Sequence, residues 1–269
     1  MGQSCIIQAS MNSTYLNYDQ IAKDYDQRYP SAQKWERGEA LLKLAKKINA
    51  KTILETGSGT GYWLTLLSQI TPHVFGVDFS FGMLQESKKR EAALGLARGT
   101  ATQLPYQNDS FDLLYCVDAI HHFGDHRTFI SEAFRVLKPE GALAIIGHDP
   151  HEAGISGWYI YEYFDSVYET DLVRYPSGKS ILQWMKEGGF QNTSSETVEY
   201  IHNVHIGKNV LNDPFLKHNA TSQLALLSDE TYQAGIKKIN KTLKNAAPSG
   251  ELITFRSDFP VKMLLGYKP

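Results

Sequence analysis

Glu55-Thr-Gly57-Ser-Gly59-Thr-Gly61 joins a short apolar run, Thr52-Ile-Leu-Glu55, to a helical one, Tyr62 to Ile70. Three glycines at alternate positions between a strand and a helix describe a tight turn that lets a ligand approach the backbone closely. The same rhythm continues downstream. His73 to Val77 reads as a strand, Ser80 to Leu94 as a helix and Phe111 to Val117 as a strand. Phe129 to Leu137 is a helix stopped by Lys138-Pro139-Glu-Gly141, and Ala142 to Ile146 is again a strand. Alternating strands and helices predict parallel crossover units in a doubly wound sheet. Near-continuous apolar strands fit burial on both faces. Two helical stretches come first, Tyr18 to Arg28 and Ala32 to Ile48, with Pro30 between them.

Beyond position 150 the rhythm loosens. Residues 151–176 hold seven aromatics: Trp158, Tyr159, Tyr161, Tyr163, Phe164, Tyr168 and Tyr175. Several fall at helical spacing, so the segment is either a lid or a helix packed on the core. It directly follows the fifth strand, and ligands of open α/β sheets lie beyond the carboxyl ends of the strands, which favours the lid. Ser180 to Glu187 is a helix ending at Gly188-Gly189, and Phe190 to Ile201 is a strand. Residues 203–252 are polar with helical patches at Gln223 to Leu227 and Tyr232 to Leu243, and a last strand alternates Phe259, Val261, Met263, Leu265 and Tyr267.

Composition narrows the function by exclusion. Lys plus Arg number 27 against 29 Asp plus Glu, which argues against a general nucleic-acid binder. Cys5 and Cys116 are the only cysteines, so a disulfide framework or four-sulfur zinc site is excluded and a cytoplasmic setting is expected. No apolar run approaches the roughly 18 residues of a membrane span. Met1-Gly-Gln-Ser-Cys-Ile-Ile lacks the cationic head and apolar length of a signal peptide, and Met11 reads as an alternative start. His121, His122, His126 and His148 have no standard metal-ligand spacing, so no metal site is expected.

The glycine loop departs from two better-known patterns. A dinucleotide fingerprint would carry its third glycine just after Gly61, where bulky Tyr62-Trp63 stands, and no Gly-Lys-Ser/Thr of a phosphate loop is present. No Lys or Arg occurs between Thr52 and Ser87, while Glu55 and Asp78 close the first two strands. Two acids without a cation suit a ligand with ribose hydroxyls and positive groups, as S-adenosylmethionine has. Asp78 can accept hydrogen bonds from both ribose hydroxyls; the alternative is that it caps the helix beginning at Ser80.

With these pieces in order, the chain resembles the class I S-adenosylmethionine-dependent methyltransferases. The likeness is to the small-molecule "type 11" branch, which includes the ubiquinone/menaquinone C-methyltransferases. The matching stretches are Tyr18 to Tyr25, Leu54 to Gly61, Val77 to Leu84, Gly99 to Tyr106 with Phe111-Asp112, Ala119 to Phe123, and Arg135 to Gly141. They cover about residues 15–150; residues 203–252 match no family pattern. The resemblance implies a Rossmann-like, seven-stranded, mostly parallel sheet whose last strand is antiparallel. It places the Gly57, Ser58, Gly59 and Gly61 loop under the methionine part of the cofactor, with Glu55 orienting it. Asp78 takes the ribose, Phe79 and Met83 flank adenine, and Ala101-Thr102 pass under its edge. The acid usual at Thr100 is missing. Asp118 faces the methionine end, and Tyr25 closes over the cofactor.

The expected activity is methyl transfer from S-adenosylmethionine, leaving S-adenosylhomocysteine, to an oxygen, nitrogen or carbon of a small molecule. His122 and His121 are the candidate bases, and Trp158, Tyr161 and Tyr168 the candidate substrate contacts. Adjacent residues on a regular element cannot both face one pocket, which favours His122. One domain is expected, with 1–48 an N-terminal gate, 49–150 the cofactor core, 151–176 and 203–252 a substrate cap, and 177–202 and 253–269 completing the sheet. DNA or RNA targets are disfavoured, because Asp118-Ala-Ile-His stands where an Asn/Asp-Pro-Pro-aromatic motif would be and neither cysteine follows a proline. The alternatives are a non-catalytic or repurposed S-adenosylmethionine-binding scaffold and, less in keeping with the loop, a nicotinamide oxidoreductase.

Overall fold

The structure, a computed structural model, describes residues 16–23, 25–28, 35–249 and 251–269. Its seven strands are β1 (Ile53–Thr56), β2 (Val74–Asp78), β3 (Gly95–Arg98), β4 (Phe111–Val117), β5 (Leu137–His148), β6 (Gln191–Ile206) and β7 (Thr254–Tyr267). They form one sheet in the order β3-β2-β1-β4-β5-β7-β6. Neighbours from β3 to β5 run parallel, and β7 is antiparallel to both β5 and β6. The strand order reverses direction between β1 and β4, the switch point at which such sheets open a crevice.

Alternation along the strands builds two cores. Ile53, Leu113, Ala144 and Ile146 face α2 (Glu36–Lys47) and α3 (Tyr62–Leu67), packing with Leu41, Leu44, Trp63 and Leu64. Leu54, Leu114, Cys116 and Ile145 face the other way, towards Phe129 and Ile130 of α5 (His126–Val136) and Met185 of α9 (Gly178–Glu187). Period-two side-chain alternation between two apolar layers explains why these strands read as unbroken hydrophobic runs.

The structure departs from the sequence expectations in its short elements. Tyr18 to Arg28 is α1 (Tyr18–Ile21) followed by a separate 3-10 turn, Tyr25–Arg28. β3 has no counterpart among the sequence expectations: its four residues are only half-buried or exposed, so they carry no apolar signature. The helix after β2 is α4 (Phe81–Arg90), capped by the Ser80 hydroxyl, which accepts from the Met83 amide. The aromatic segment is three short helices, α6 (Pro150–Ala153), α7 (Tyr159–Tyr163) and α8 (Val167–Arg174). Strand pairing extends further than periodicity indicates: Ile206 pairs with Thr254, so the insertion narrows to the residues between them. It holds α10 (Ser222–Ala225) and α11 (Asp229–Ala246). Cys5, Met11 and the start of the stretch from Ala32 lie outside the described residues. Among the described residues, no helix is long and apolar enough to cross a membrane.

The two cap segments close on a third cluster, in which Trp158, Ile160 and Phe164 meet Val210, Leu216, Leu224 and Ile239. Gly235 of α11 lies over Phe164, and a Cβ there would sit 2.2 Å from its ring. Gly235→Ala gains about 1 kcal/mol of helix propensity, but overpacking against this buried ring costs about 1–3 kcal/mol. A net fall in thermal stability is expected, measured by denaturant or thermal melts.

Candidate active site

The glycine loop is held open from below. The Gly57 and Ser58 amides both donate to the Val77 carbonyl, at 2.8 and 3.1 Å, which ties the end of β1 to β2. Gly57, Gly59 and Gly61 all have positive φ, a conformation that penalises other residues. A Cβ on Gly57 would lie 2.6 Å from the Ala119 Cβ, whereas one on Gly59 would meet nothing within 4 Å. That open space belongs to a cavity of about 690 Å³ at the carboxyl ends of β1, β2 and β4.

Asp78 anchors the floor of this cavity. Its carboxylate accepts from the Gly59 and Ser80 amides, both at 2.8 Å, while lining the cavity. The helix cap itself is Ser80, so Asp78 is not consumed as a cap. Burial holds the Asp78 carboxyl above its usual range, and those two amides pull it back. Asp19 of α1 closes the margin, its Oδ1 accepting from the Ser80 hydroxyl at 2.6 Å and the Gly82 amide at 2.7 Å. The Ser80 hydroxyl, foremost, lowers the Asp19 pKa.

Of the twelve sequence-derived cofactor positions, Tyr25, Gly57, Gly59, Asp78, Phe79, Met83, Ala101, Thr102 and Asp118 line the cavity. Phe79 presents an exposed ring, and Met83 is buried beneath. Glu55, Ser58 and Gly61 are not among the lining residues; they shape the loop from behind. Glu55 is buried and accepts from the Tyr115 hydroxyl at 3.1 Å, and burial raises its pKa well above the usual range. A Cβ on Gly61 would strike the Ser87 hydroxyl at 2.2 Å.

The two histidines diverge. His122 lines the first cavity, its Nε2 2.7 Å from the Tyr18 hydroxyl. His121 lines a neighbouring cavity against the cap, stacking on Tyr175 with ring centroids 4.0 Å apart. Its Nε2 lies 3.2 Å from the Tyr175 hydroxyl. Gln223 donates to both that hydroxyl and Asp171, each at 2.9 Å, and the Tyr161 hydroxyl donates to Asp171 at 2.9 Å. The Tyr161 proton is therefore spent on Asp171, and His148 Nε2, 3.1 Å away, carries its own proton towards Tyr161.

A second cavity of about 430 Å³ adjoins the first, sharing Tyr18, Tyr25 and Asp118. Trp158 lines it. Tyr161 and Tyr168, the other expected substrate contacts, line neither cavity. They pack on each other at 5.1 Å within the cap, because helical spacing turns them into the third cluster. Arg37, which sequence reasoning missed, crosses the base of this second cavity. Its Nε and Nη2 donate to Glu199 at 2.7 and 3.1 Å, and its Nη1 to Asp118 at 2.6 Å. Neither Arg37 nor Glu199 belongs to a motif. Tyr18 had a signal, since it opens the Tyr18 to Tyr25 stretch, but its histidine partner is 104 residues away.

The residues present fit the cofactor that the sequence implies. The uncrowded backbone at Gly59, the half-buried carboxylate of Asp78 and the exposed ring of Phe79 offer a flexible chain, paired hydroxyls and a flat base their natural partners. Residues 54–145 match the methyltransferase-domain family. A demethylmenaquinone methyltransferase of Deinococcus radiodurans is 31% identical over 180 residues, which are 58% of this chain and 74% of that protein. Its counterpart in Thermotoga maritima is 26% identical over 199 residues, 65% of this chain and 86% of that one. Among solved structures, phosphoethanolamine N-methyltransferase 2 of Haemonchus contortus aligns with a TM-score of 0.59 at 19% identity, covering 93% of this chain and 57% of that one. The YcgJ protein of Bacillus subtilis gives 0.57 at 19% identity, over 86% and 98%. The chain belongs to the class I S-adenosylmethionine-dependent methyltransferases, in the branch the sequence resembles. It is an enzyme, and S-adenosylmethionine is its methyl donor.

Burial lowers the pKa of His121 far below the usual imidazole value and lowers that of His148 as well. Both rings are neutral in the folded chain at neutral pH, whereas in the unfolded chain they take up protons below about pH 6.5. The unfolded state then binds more protons, so stability is full above that pH and falls as the pH drops towards the lowered folded values. The expected loss is at most about 1.4 kcal/mol per pH unit per histidine, read from thermal melts between pH 7 and 5.

Proposed function

We propose that the enzyme transfers the methyl group to an oxygen, nitrogen or carbon atom of a small molecule held in the second cavity. The observation that carries this reading is the junction of the two cavities, which share Tyr18, Tyr25 and Asp118, with the Tyr18–His122 pair beside it. The names of relatives and fold neighbours, for demethylmenaquinone and for phosphoethanolamine, agree with a small acceptor. In this reading residues 1–48 act as a gate, and the segments around 151–176 and 203–252 as the substrate cap.

Asp78 holds the ribose hydroxyls, Phe79 and Met83 flank adenine, and Ala101 and Thr102 pass beneath its edge. Gly57 and Gly59 lie under the methionine part, supported from behind by Glu55, Ser58 and Gly61, while Tyr25 covers it and Asp118 faces its end. When bound, S-adenosylmethionine supplies an electrophilic methyl group whose leaving group is a neutral thioether. The chain contributes alignment and exclusion of water. Where the nucleophile carries a proton, the Tyr18 oxygen accepts it as the Tyr18 proton passes to His122 Nε2 across 2.7 Å. His121 lines the second cavity and is the other candidate base, with its Nε2 3.2 Å from the Tyr175 hydroxyl.

Two outcomes are expected. Asp78→Ala weakens S-adenosylhomocysteine binding at least about tenfold in calorimetric titration, since a charge-assisted pair of hydrogen bonds is lost; unchanged affinity contradicts the assignment. With an acceptor whose nucleophile must lose a proton, Tyr18→Phe and His122→Asn each lower kcat by roughly 10²–10⁴. Both variants keep the S-adenosylhomocysteine affinity within a few-fold, and an equal kcat in either removes that residue from the proton path.

A further inference from the structure

The second cavity, like the first, is lined by an excess of carboxylates. Among the described residues, Glu36, Asp118, Glu199 and Asp213 line it against a single guanidinium, that of Arg37. That guanidinium is already paired: Nε and Nη2 donate to Glu199 and Nη1 to Asp118. Among the described residues lining it, an anionic acceptor would meet no Lys or Arg other than Arg37 and would face an excess of carboxylates. A neutral or cationic one would not.

Asp118 is the carboxylate placed to matter. It follows the last residue of β4 in a left-handed conformation, φ 49°, and borders both cavities. Arg37 occupies Oδ2, and Oδ1 takes no hydrogen bond from any described residue. The side chain stays about one-third exposed although its partner is buried. Trp158, Tyr175, Phe215 and Phe259 supply ring surfaces around the same space. Aromatic faces beside a carboxylate with one oxygen still open attract an organic cation, since the ring quadrupole and the full charge have the same sign of preference. The volume of about 430 Å³ is that of a small-ligand site.

We propose that the acceptor is an amine, bound as its ammonium with the nitrogen on Asp118 Oδ1 and its organic part against the aromatic walls. This rests on reading the second cavity as the acceptor site, and it narrows the methylated atom to nitrogen. An ammonium has no lone pair, so it sheds one proton before it can be alkylated. The Tyr18–His122 pair at the junction of the cavities is the group in place to take that proton.

The test is competitive binding to the full-length enzyme saturated with S-adenosylhomocysteine, followed by calorimetry at pH 7. The probes are a set of arylalkylamines such as 2-phenylethylamine, each with its neutral and anionic counterparts, here 2-phenylethanol and 3-phenylpropanoate. At least one amine is expected to bind about tenfold or more tightly than its alcohol, with the carboxylate weakest. In Asp118→Asn, which keeps an oxygen for Arg37, that preference is expected to shrink to about threefold or less. The proposal is overturned if no amine outbinds its alcohol, if a carboxylate binds best, or if the preference survives in Asp118→Asn. Failure of the wild-type enzyme to bind S-adenosylhomocysteine would instead strike at the cofactor site, a separate and earlier readout.

Discussion

The guanidinium of Arg37 joins three parts of the chain that lie far apart in sequence. It rises from α2, reaches Glu199 on β6 and Asp118 beyond β4, and is buried with Glu199. Removing one partner of such a group strands a charge in low dielectric, which costs more than the pair contributes while intact. The arrangement is therefore weak as a source of stability and strong as a constraint on geometry. While Arg37 holds both carboxylates, the N-terminal helix, the switch point and the antiparallel edge keep one relative position. Both cavities are cut from that junction.

Burial also decides protonation throughout the cap. Asp171 is wholly buried, yet Tyr161 and Gln223 donate to it and Arg174 pairs with it at 3.2 Å. That set of donors fixes the direction of each hydrogen bond around it, and through Gln223 and Tyr175 it reaches the imidazole of His121. Polar networks of this kind are costly when half satisfied and selective when complete. They orient side chains that the apolar packing of α7, α8 and α11 would leave free to rotate.

Most of the cofactor half was legible in sequence because its elements are local. A glycine loop needs only neighbouring residues to show its purpose, and Asp78 announces itself by closing a strand. Two limits have physical causes. β3 is a half-buried edge without an apolar pattern, and helical periodicity in the aromatic segment marks packing as readily as a lid, so spacing alone does not separate Trp158, which lines a cavity, from Tyr161 and Tyr168, which pack within the cap. The acceptor side was opaque for a different reason. Arg37 and Glu199 are 162 residues apart, and Tyr18 and His122 are 104 apart. No spacing rule reaches across such distances; only the register of β6 on β7 and the seat of α1 against α4 bring them together.

The pairing of Ile206 with Thr254 has a consequence for how such an enzyme changes over time. The whole insertion leaves and re-enters the molecule through adjacent, hydrogen-bonded positions, at the far end of a two-stranded ribbon that overhangs the sheet. Lengthening or shortening a loop whose ends are already clamped alters its closure entropy only logarithmically. The segment between these residues is thus a cassette: its length can change without moving the two strand positions that hold its ends. New acceptors become reachable through an exchange at one place in the chain.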